Sequence, residues 1–297
     1  MATLGLTGDV MLGRKVDERQ QSRAPDAVWG DLTDRLRSLD GLFCNLECCL
    51  STRGEQWTRT RRAFHFRADP AWAVPALDAV GVDGVTLANN HVLDYQAVAL
   101  RDTLDALDDA GIEHVGAGRD WHSALDPAMF SVDDCDIAVV AFTDNTPEYA
   151  AGDDSPGTAR IECDVDDEES REAVHDALER ARATDPDLVM ASLHWGPNMV
   201  AEPAAQYREF GRWLVDEGVD VVHGHSAHVF QGVEVRGGAP ILYDAGDFVD
   251  DYAVDDDLRN DRSFLFEVEL SADGSPVELR LHPVDLDYCV VGDADED

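Results

Sequence analysis

Apolar positions along the chain fall into two rhythms. Up to about residue 222, short apolar runs alternate with stretches whose apolar residues recur at helical spacing. The runs Thr3–Thr7, Gly41–Leu46, Asp83–Leu87, Ile112–Val115, Leu188–Leu193 and Val219–Val222 read as strands. Val28–Leu39, Pro70–Val80, Ala97–Ala110, Glu168–Ala183 and Ala204–Glu217 read as helices. Pro70 stands near a helix start, where a missing N–H costs little. Gly111 and Gly218 follow helices as stop signals. Ala128–Val132 and Ile137–Phe142 read as a hairpin across Asp133–Asp136. From Val229 onward the helices disappear: Val229–Val235, Pro240–Tyr243, Ser263–Leu270 and Val277–Pro283 are expected strands. An alternating body with a β-rich tail implies a layered α/β protein with a mixed sheet or two packed sheets.

The polar residues that end these runs carry the chemistry. Gly8-Asp9, Asn45-Leu46-Glu47, Asn89-Asn90-His91, His194-Trp195-Gly196 and Gly224-His225 with His228 each follow a strand-like run. Ligands gather at the carboxyl ends of strands in open α/β sheets. Oxygen and nitrogen donors without thiolates suit hard or borderline divalent cations that activate water. Asp9 and Glu47 read individually as turn or cap residues, and together with the histidines as ligands, one of them able to bridge two ions. The Asn90 oxygen can ligate while His91 acts as an acid, its ring held by Asp94; otherwise Asp94 caps the next helix. His194 reads as a ligand or as a buried, backbone-satisfied histidine. His225 and His228 are expected ligands. His223 shares a face with His225 if the strand continues that far.

Two groups of arginines offer anion recognition. Arg14 either clamps an anionic group or forms a surface ion pair. Residues 53–67 hold Arg53, Arg59, Arg61, Arg62 and Arg67 against one acid, Glu55, interleaved with Trp57, Phe64, His65 and Phe66. Guanidinium forks and aromatic faces suit carboxylates and phosphates. The expectation is a cationic loop over the site; the alternative is that these arginines neutralise acidic neighbours.

Composition sharpens the contrast. In 297 residues, 62 Asp and Glu face 23 Lys and Arg, a formal net charge of −39, and Lys15 is the only lysine. Such a self-repelling shell reads as adaptation to very high salt, where screening removes most of the repulsion. The same field opposes nucleic acid and acidic membranes. No apolar stretch approaches a membrane span, and residues 1–8 lack the charge and length of a signal peptide, so a cytoplasmic location is expected. The six cysteines form no CxxC pair and read as reduced, buried thiols. One domain is expected over residues 1–292, with a frayed acidic tail at 293–297.

The ordered set of motifs resembles the CapA (PgsA-like) poly-γ-glutamate biosynthesis family of the calcineurin-like metallophosphoesterase superfamily. It comprises Gly8-Asp9-Val10-Met11-Leu12-Gly13-Arg14, Asn45-Leu46-Glu47, Leu87-Ala88-Asn89-Asn90-His91 with Asp94, and His194-Trp195-Gly196. It continues with Gly224-His225 through His228-Val229, Gln231-Gly232-Val233-Glu234, Ile241-Leu242-Tyr243 and Gly246-Asp247-Phe248. The resemblance implies a four-layer α/β/β/α sandwich with two mixed sheets. It implies Asp9, Glu47, Asn90, His194, His225 and His228 as ligands of one or two ions of the Mn, Fe, Zn or Co class, with His91 as the acid. Met11 stands where the wider superfamily has a histidine, and the last pair is spaced His-x-x-His. The expected function is a metal-dependent hydrolase acting on an anionic small-molecule or polymer substrate, a phosphoester or γ-glutamyl amide, in capsule-type polymer metabolism. Arg14, Arg59, Arg61 and Arg62 would bind its charge. The alternative is a non-catalytic polyanion- or partner-binding subunit of a polymer synthesis or export system.

Overall fold

A computed structural model describes residues 1–294. Two mixed sheets lie at its centre. The larger runs, in spatial order, through Val291–Asp293, Pro276–Leu286, Arg262–Leu270, Ala2–Val10, Gly41–Leu46, Gly84–Thr86 and Glu113–Val115. Asp247–Val249 pairs in parallel with the end of Ala2–Val10. The smaller sheet runs through Val233–Arg236, Ala239–Leu242, Val221–His225, Leu188–His194, Cys135–Thr143 and Ala128–Val132.

Three apolar cores separate four layers. Leu4, Leu6, Phe43, Val139, Met190, Val221 and Phe266 fill the space between the sheets. On the outer face of the larger sheet, Val10, Leu42, Cys44 and Leu46 pack with residues of the helices Pro70–Asp78 and Gln96–Ala110, including Leu77, Leu100 and Leu104. On the outer face of the smaller sheet, Val140, Phe142, Ala191 and Leu193 pack with Val174, Leu178, Phe210 and Leu214 of the helices Glu168–Arg182 and Ala205–Asp216. Strand alternation explains the sorting: Val139 faces one core and Val140 the other. The expected four-layer α/β/β/α sandwich is what forms. No helix among the described residues is long and apolar enough to cross a membrane.

The parallel strands bring their carboxyl ends together, and their register places the site. Asp9 lies opposite Asn45 on one side and Asp247 on the other. His194 lies opposite His225. Gly8 permits the first arrangement: a Cβ there would sit 1.7 Å from the Gly246 oxygen, which accepts the Asp9 amide at 2.8 Å. Gly224 does the same for the other sheet, where a Cβ would meet the Tyr243 oxygen at 2.3 Å.

Several elements depart from the sequence pattern. Val28–Leu39 is not one helix but a 3₁₀ segment, Pro25–Leu32, followed by the helix Thr33–Arg37. Gly30 breaks it at φ +54°, where a Cβ would strike the Val291 oxygen at 2.3 Å. The expected strand over Val229–Val235 begins only at Val233, because Ser226 and His228 take positive φ and bend the chain first. The strand expected to stop at Val222 continues to His225. Asp247–Val249 and Val291–Asp293 were not anticipated. Asp293, the first residue of the expected acidic tail, is therefore paired in a strand; residues 295–297 lie outside the described residues.

Candidate metal centre

Asp9 and Glu47 are fully buried at the ends of adjacent strands. A paired-amide scaffold holds them. The Asn45 amide donates to Asp9 Oδ1 at 2.7 Å and to Glu47 Oε2 at 3.4 Å. The Asn89 amide in turn donates to Asn45 Oδ1 and to the Leu46 carbonyl, while Asn89 Oδ1 accepts the His91 amide. What remains is informative. Asp9 Oδ2, Glu47 Oε1, Asn90 Oδ1 and Asp247 Oδ2 are all buried without a hydrogen-bond partner. A buried acceptor without a donor costs about 1–3 kcal/mol. Four acceptors around one strand-end cluster are the donor set a cation would satisfy.

The histidines complete it. Donor atoms of Asp9, His194 and His225 lie within 4.8 Å of one another, as do those of Asp9, Glu47 and His228. Asp9 belongs to both groups. His194 Nδ1 and His225 Nδ1 are 3.0 Å apart. His228 Nδ1 lies 2.8 Å from Asp247 Oδ1 and 3.3 Å from Asp9 Oδ2. Met11 is buried in the outer core with the helices and offers nothing to this cluster.

Burial sets the electrostatics. It pushes His194 down to about 3 and His225 well below the usual imidazole range. Both are therefore neutral, as metal ligation requires. Burial and the Asp9 charge push Glu47 well above the usual carboxyl range. For Asp9, burial acts upward but is outweighed by the neighbouring His228, His225 and His194, which hold it well below the usual carboxyl range. Burial likewise opposes charge on His228, yet Asp247, Asp9 and Glu47 hold it well above its ordinary value.

Beside this cluster lies the acid candidate. His91 Nδ1 is 2.5 Å from Asp94 Oδ2, and Nε2 faces Glu47 Oε1 at 3.7 Å. Asp94 is itself fixed by the Phe66 amide and the Tyr149 hydroxyl. The ring of His91 meets Phe66 edge-on at 4.6 Å. His91, Asn90 and His228 open onto a cavity of about 420 Å³, whose wall includes Arg61, Arg62, Phe64, Met199 and Tyr252.

The arginine loop does cover this region, but its cations divide. Arg61 and Arg62 line the cavity; Arg59 and Arg14 are not among its lining residues. Arg62 is already engaged, donating to the Asn90 carbonyl and to Thr146, 3.7 Å from Asp94 and stacked over Tyr149. Arg59 stacks on Trp57, and Arg53 pairs with Asp102. Arg14 pairs with Asp251 at 3.3 Å and stacks 4.2 Å over Phe64. It thereby ties the loop to the Asp251 segment. Arg61 is the exposed guanidinium left at the cavity.

The structure thus brings together five of the six expected ligands, Asp9, Glu47, His194, His225 and His228; Asn90 lines the adjoining cavity with His91 and His228. Asn45, Asn89 and Asp247 lie in motifs quoted from the sequence but were given no role there. Asp247 had a signal: Gly246-Asp247-Phe248-Val249 repeats the Gly-Asp-apolar pattern of Gly8-Asp9-Val10-Met11, and the two aspartates pair in register.

Known proteins show the family and the fold. Residues 3–252 match the family described as bacterial capsule synthesis protein PGA_cap. A probable polyglutamine synthesis accessory protein of Mycobacterium tuberculosis is 32% identical, covering 96% of this chain and 84% of its own length. The capsule biosynthesis protein CapA of Bacillus anthracis is 28% identical, over 93% of this chain and 65% of that protein. Among solved structures, a hypothetical protein from Thermus thermophilus superposes with a TM-score of 0.55 at 17% identity, covering 95% of this chain and 99% of that one. A 5'-nucleotidase precursor from the same organism gives 0.53 at 15% identity, over 95% and 54%. These likenesses show a shared fold.

Proposed function

The chain belongs to the bacterial capsule synthesis protein PGA_cap family, and from that premise we propose that it is a metal-dependent hydrolase acting on an anionic substrate, a phosphoester or γ-glutamyl amide, in poly-γ-glutamate or capsule-type polymer metabolism. One observation carries the reading: four buried acceptors without donors, on Asp9, Glu47, Asn90 and Asp247, sit with the neutral His194 and His225 and with His228 beside a cavity. Asp9, Glu47, Asn90, His194, His225 and His228 would hold one or two divalent ions, with Asp9 shared. A divalent ion of the Mn, Fe, Zn or Co class there supplies Lewis acidity and lowers the pKa of water.

The chain's own groups do the rest. Asp94 holds Nδ1 of His91, so Nε2 is the atom that exchanges a proton with the leaving group. Arg61 attracts substrate charge at the cavity, and Phe64 and Tyr252 limit water there. Arg62 fixes the Asn90 backbone. Six unpaired, buried thiols fit a reducing compartment, and a cytoplasmic site of action is part of the proposal.

The relative's name, an accessory protein of polyglutamine synthesis, favours a second reading: a subunit that binds polyanion or partner without turning it over. His91→Ala separates the two. Hydrolysis of phosphoester and γ-glutamyl substrates, measured in molar KCl, should fall by roughly 10²–10⁴-fold with metal content unchanged. A folded wild type that binds metal and partner but hydrolyses neither substrate class would favour the subunit.

A further inference from the structure

We propose that Ser192 and His223 are positioning residues that lock His225 in its Nε2–H tautomer, so that the Nδ1 lone pair faces Asp9 and His194. This rests on the metal-centre reading above and deepens it. Strand register makes the relay: Ser192 lies opposite His223, and His194 opposite His225. His223 and His225, two apart on one strand, share a face.

The protons can be assigned from a group that only accepts. The Thr7 carbonyl oxygen lies 2.8 Å from His223 Nε2, so that nitrogen carries hydrogen. His223 is fully buried and forms no ion pair among the described residues, so its ring is neutral and Nδ1 is an acceptor. Ser192 Oγ is 3.1 Å from that Nδ1 and gives it its one hydrogen. The Ser192 oxygen, 3.1 Å from His225 Nε2, is then left as an acceptor there. Nε2 of His225 therefore carries hydrogen, and Nδ1 keeps its lone pair.

That lone pair faces Asp9 Oδ1 at 3.6 Å and His194 Nδ1 at 3.0 Å. Two electron-rich atoms so placed need a proton from His194 or a cation between them. The relay thus prepares a donor and excludes the tautomer that would present N–H to a metal. Phe43, edge-on to His223 at 5.9 Å, and the Thr7 carbonyl fix the far end.

The test uses the full chain in molar KCl, without metal, labelled with ¹⁵N at histidine. Wild-type His225 should show hydrogen on Nε2. Ser192→Ala and His223→Leu should give a tautomer mixture and weaken Zn²⁺ binding by roughly 10–100-fold. His223→Gln, whose amide offers an N–H to Thr7 and an oxygen to Ser192, should keep both properties. Hydrogen on Nδ1 of wild-type His225 would overturn the inference. So would a folded Ser192→Ala chain with wild-type tautomer and Zn²⁺ affinity. A folded wild type with the expected tautomer that binds no Zn²⁺ supports the relay and overturns the metal-centre reading, so the two failures are distinguishable.

Discussion

Asp9 uses one oxygen for Asn45 and leaves the other, buried, without a hydrogen bond. Glu47 Oε1, Asn90 Oδ1 and Asp247 Oδ2 repeat the pattern. A fold optimised only for stability would fill or remove such acceptors, and their grouping is what distinguishes a ligand set from a set of turn residues. The same residue-by-residue accounting divides the arginines. Arg62 and Arg14 are held by Asp94, Asn90 and Asp251, whereas Arg61 faces the cavity. Arg61→Ala should therefore raise KM for an anionic substrate about tenfold, consistent with one charge contact worth about 1.4 kcal/mol, and leave kcat nearly unchanged. Steady-state kinetics at fixed KCl would show this, and an unchanged KM would remove Arg61 from substrate binding. The proposed ligands were legible because the polar clusters that hold them end apolar runs. Asp247 was given no role because it sits in an acid-rich stretch, 244–261, which masked its Gly-Asp-apolar pattern. Asn45 and Asn89 act only through carboxylate and backbone partners, which pairing in space reveals and sequence spacing does not.

At the scale of elements, two sheets meet with their parallel strand ends on the same side, and two glycines allow the closest approaches. Gly8→Ala would place a methyl 1.7 Å from the Gly246 oxygen, against backbone that cannot swing away. The strand Asp247–Val249 would have to move, carrying Asp247 from His228. The expected cost is about 1–3 kcal/mol of stability, with weakened metal binding, read by thermal melts and metal titration. A Gly8→Ala chain with wild-type melting temperature would contradict the packing described. Apolar rhythm foretold most of the main strands and helices because a strand buried on both faces needs an unbroken apolar run. It failed where tertiary contact decides the backbone. Gly30 breaks a helix-like pattern because Val291 packs against it, and Ser226 and His228 bend the chain before Val233. The short strands Asp247–Val249 and Val291–Asp293 exist only by pairing with distant partners.

Over the whole molecule, a formal charge of −39 surrounds a site that itself gathers carboxylates. Several arginines form ion pairs at exposed positions, such as Arg212 with Glu234 and Arg236 with Asp216. Pairs of this kind contribute about 0–1 kcal/mol each, far too little to offset the shell's repulsion. Screening shortens from about 8 Å at physiological ionic strength to about 3 Å at 1 M. The melting temperature should accordingly rise as KCl is raised from 0.1 to about 2 M, and a flat or falling profile would contradict adaptation to high salt. The central claim concerns the cation at Asp9, the carboxylate shared by both donor groups. Its most direct test is the count of tightly bound Mn, Fe, Zn or Co per folded chain, purified in about 2 M KCl, for wild type and Asp9→Asn. One or two ions in wild type, lost from a folded Asp9→Asn chain, is the predicted result. A folded wild type without metal, or the same metal content in both chains, would contradict it.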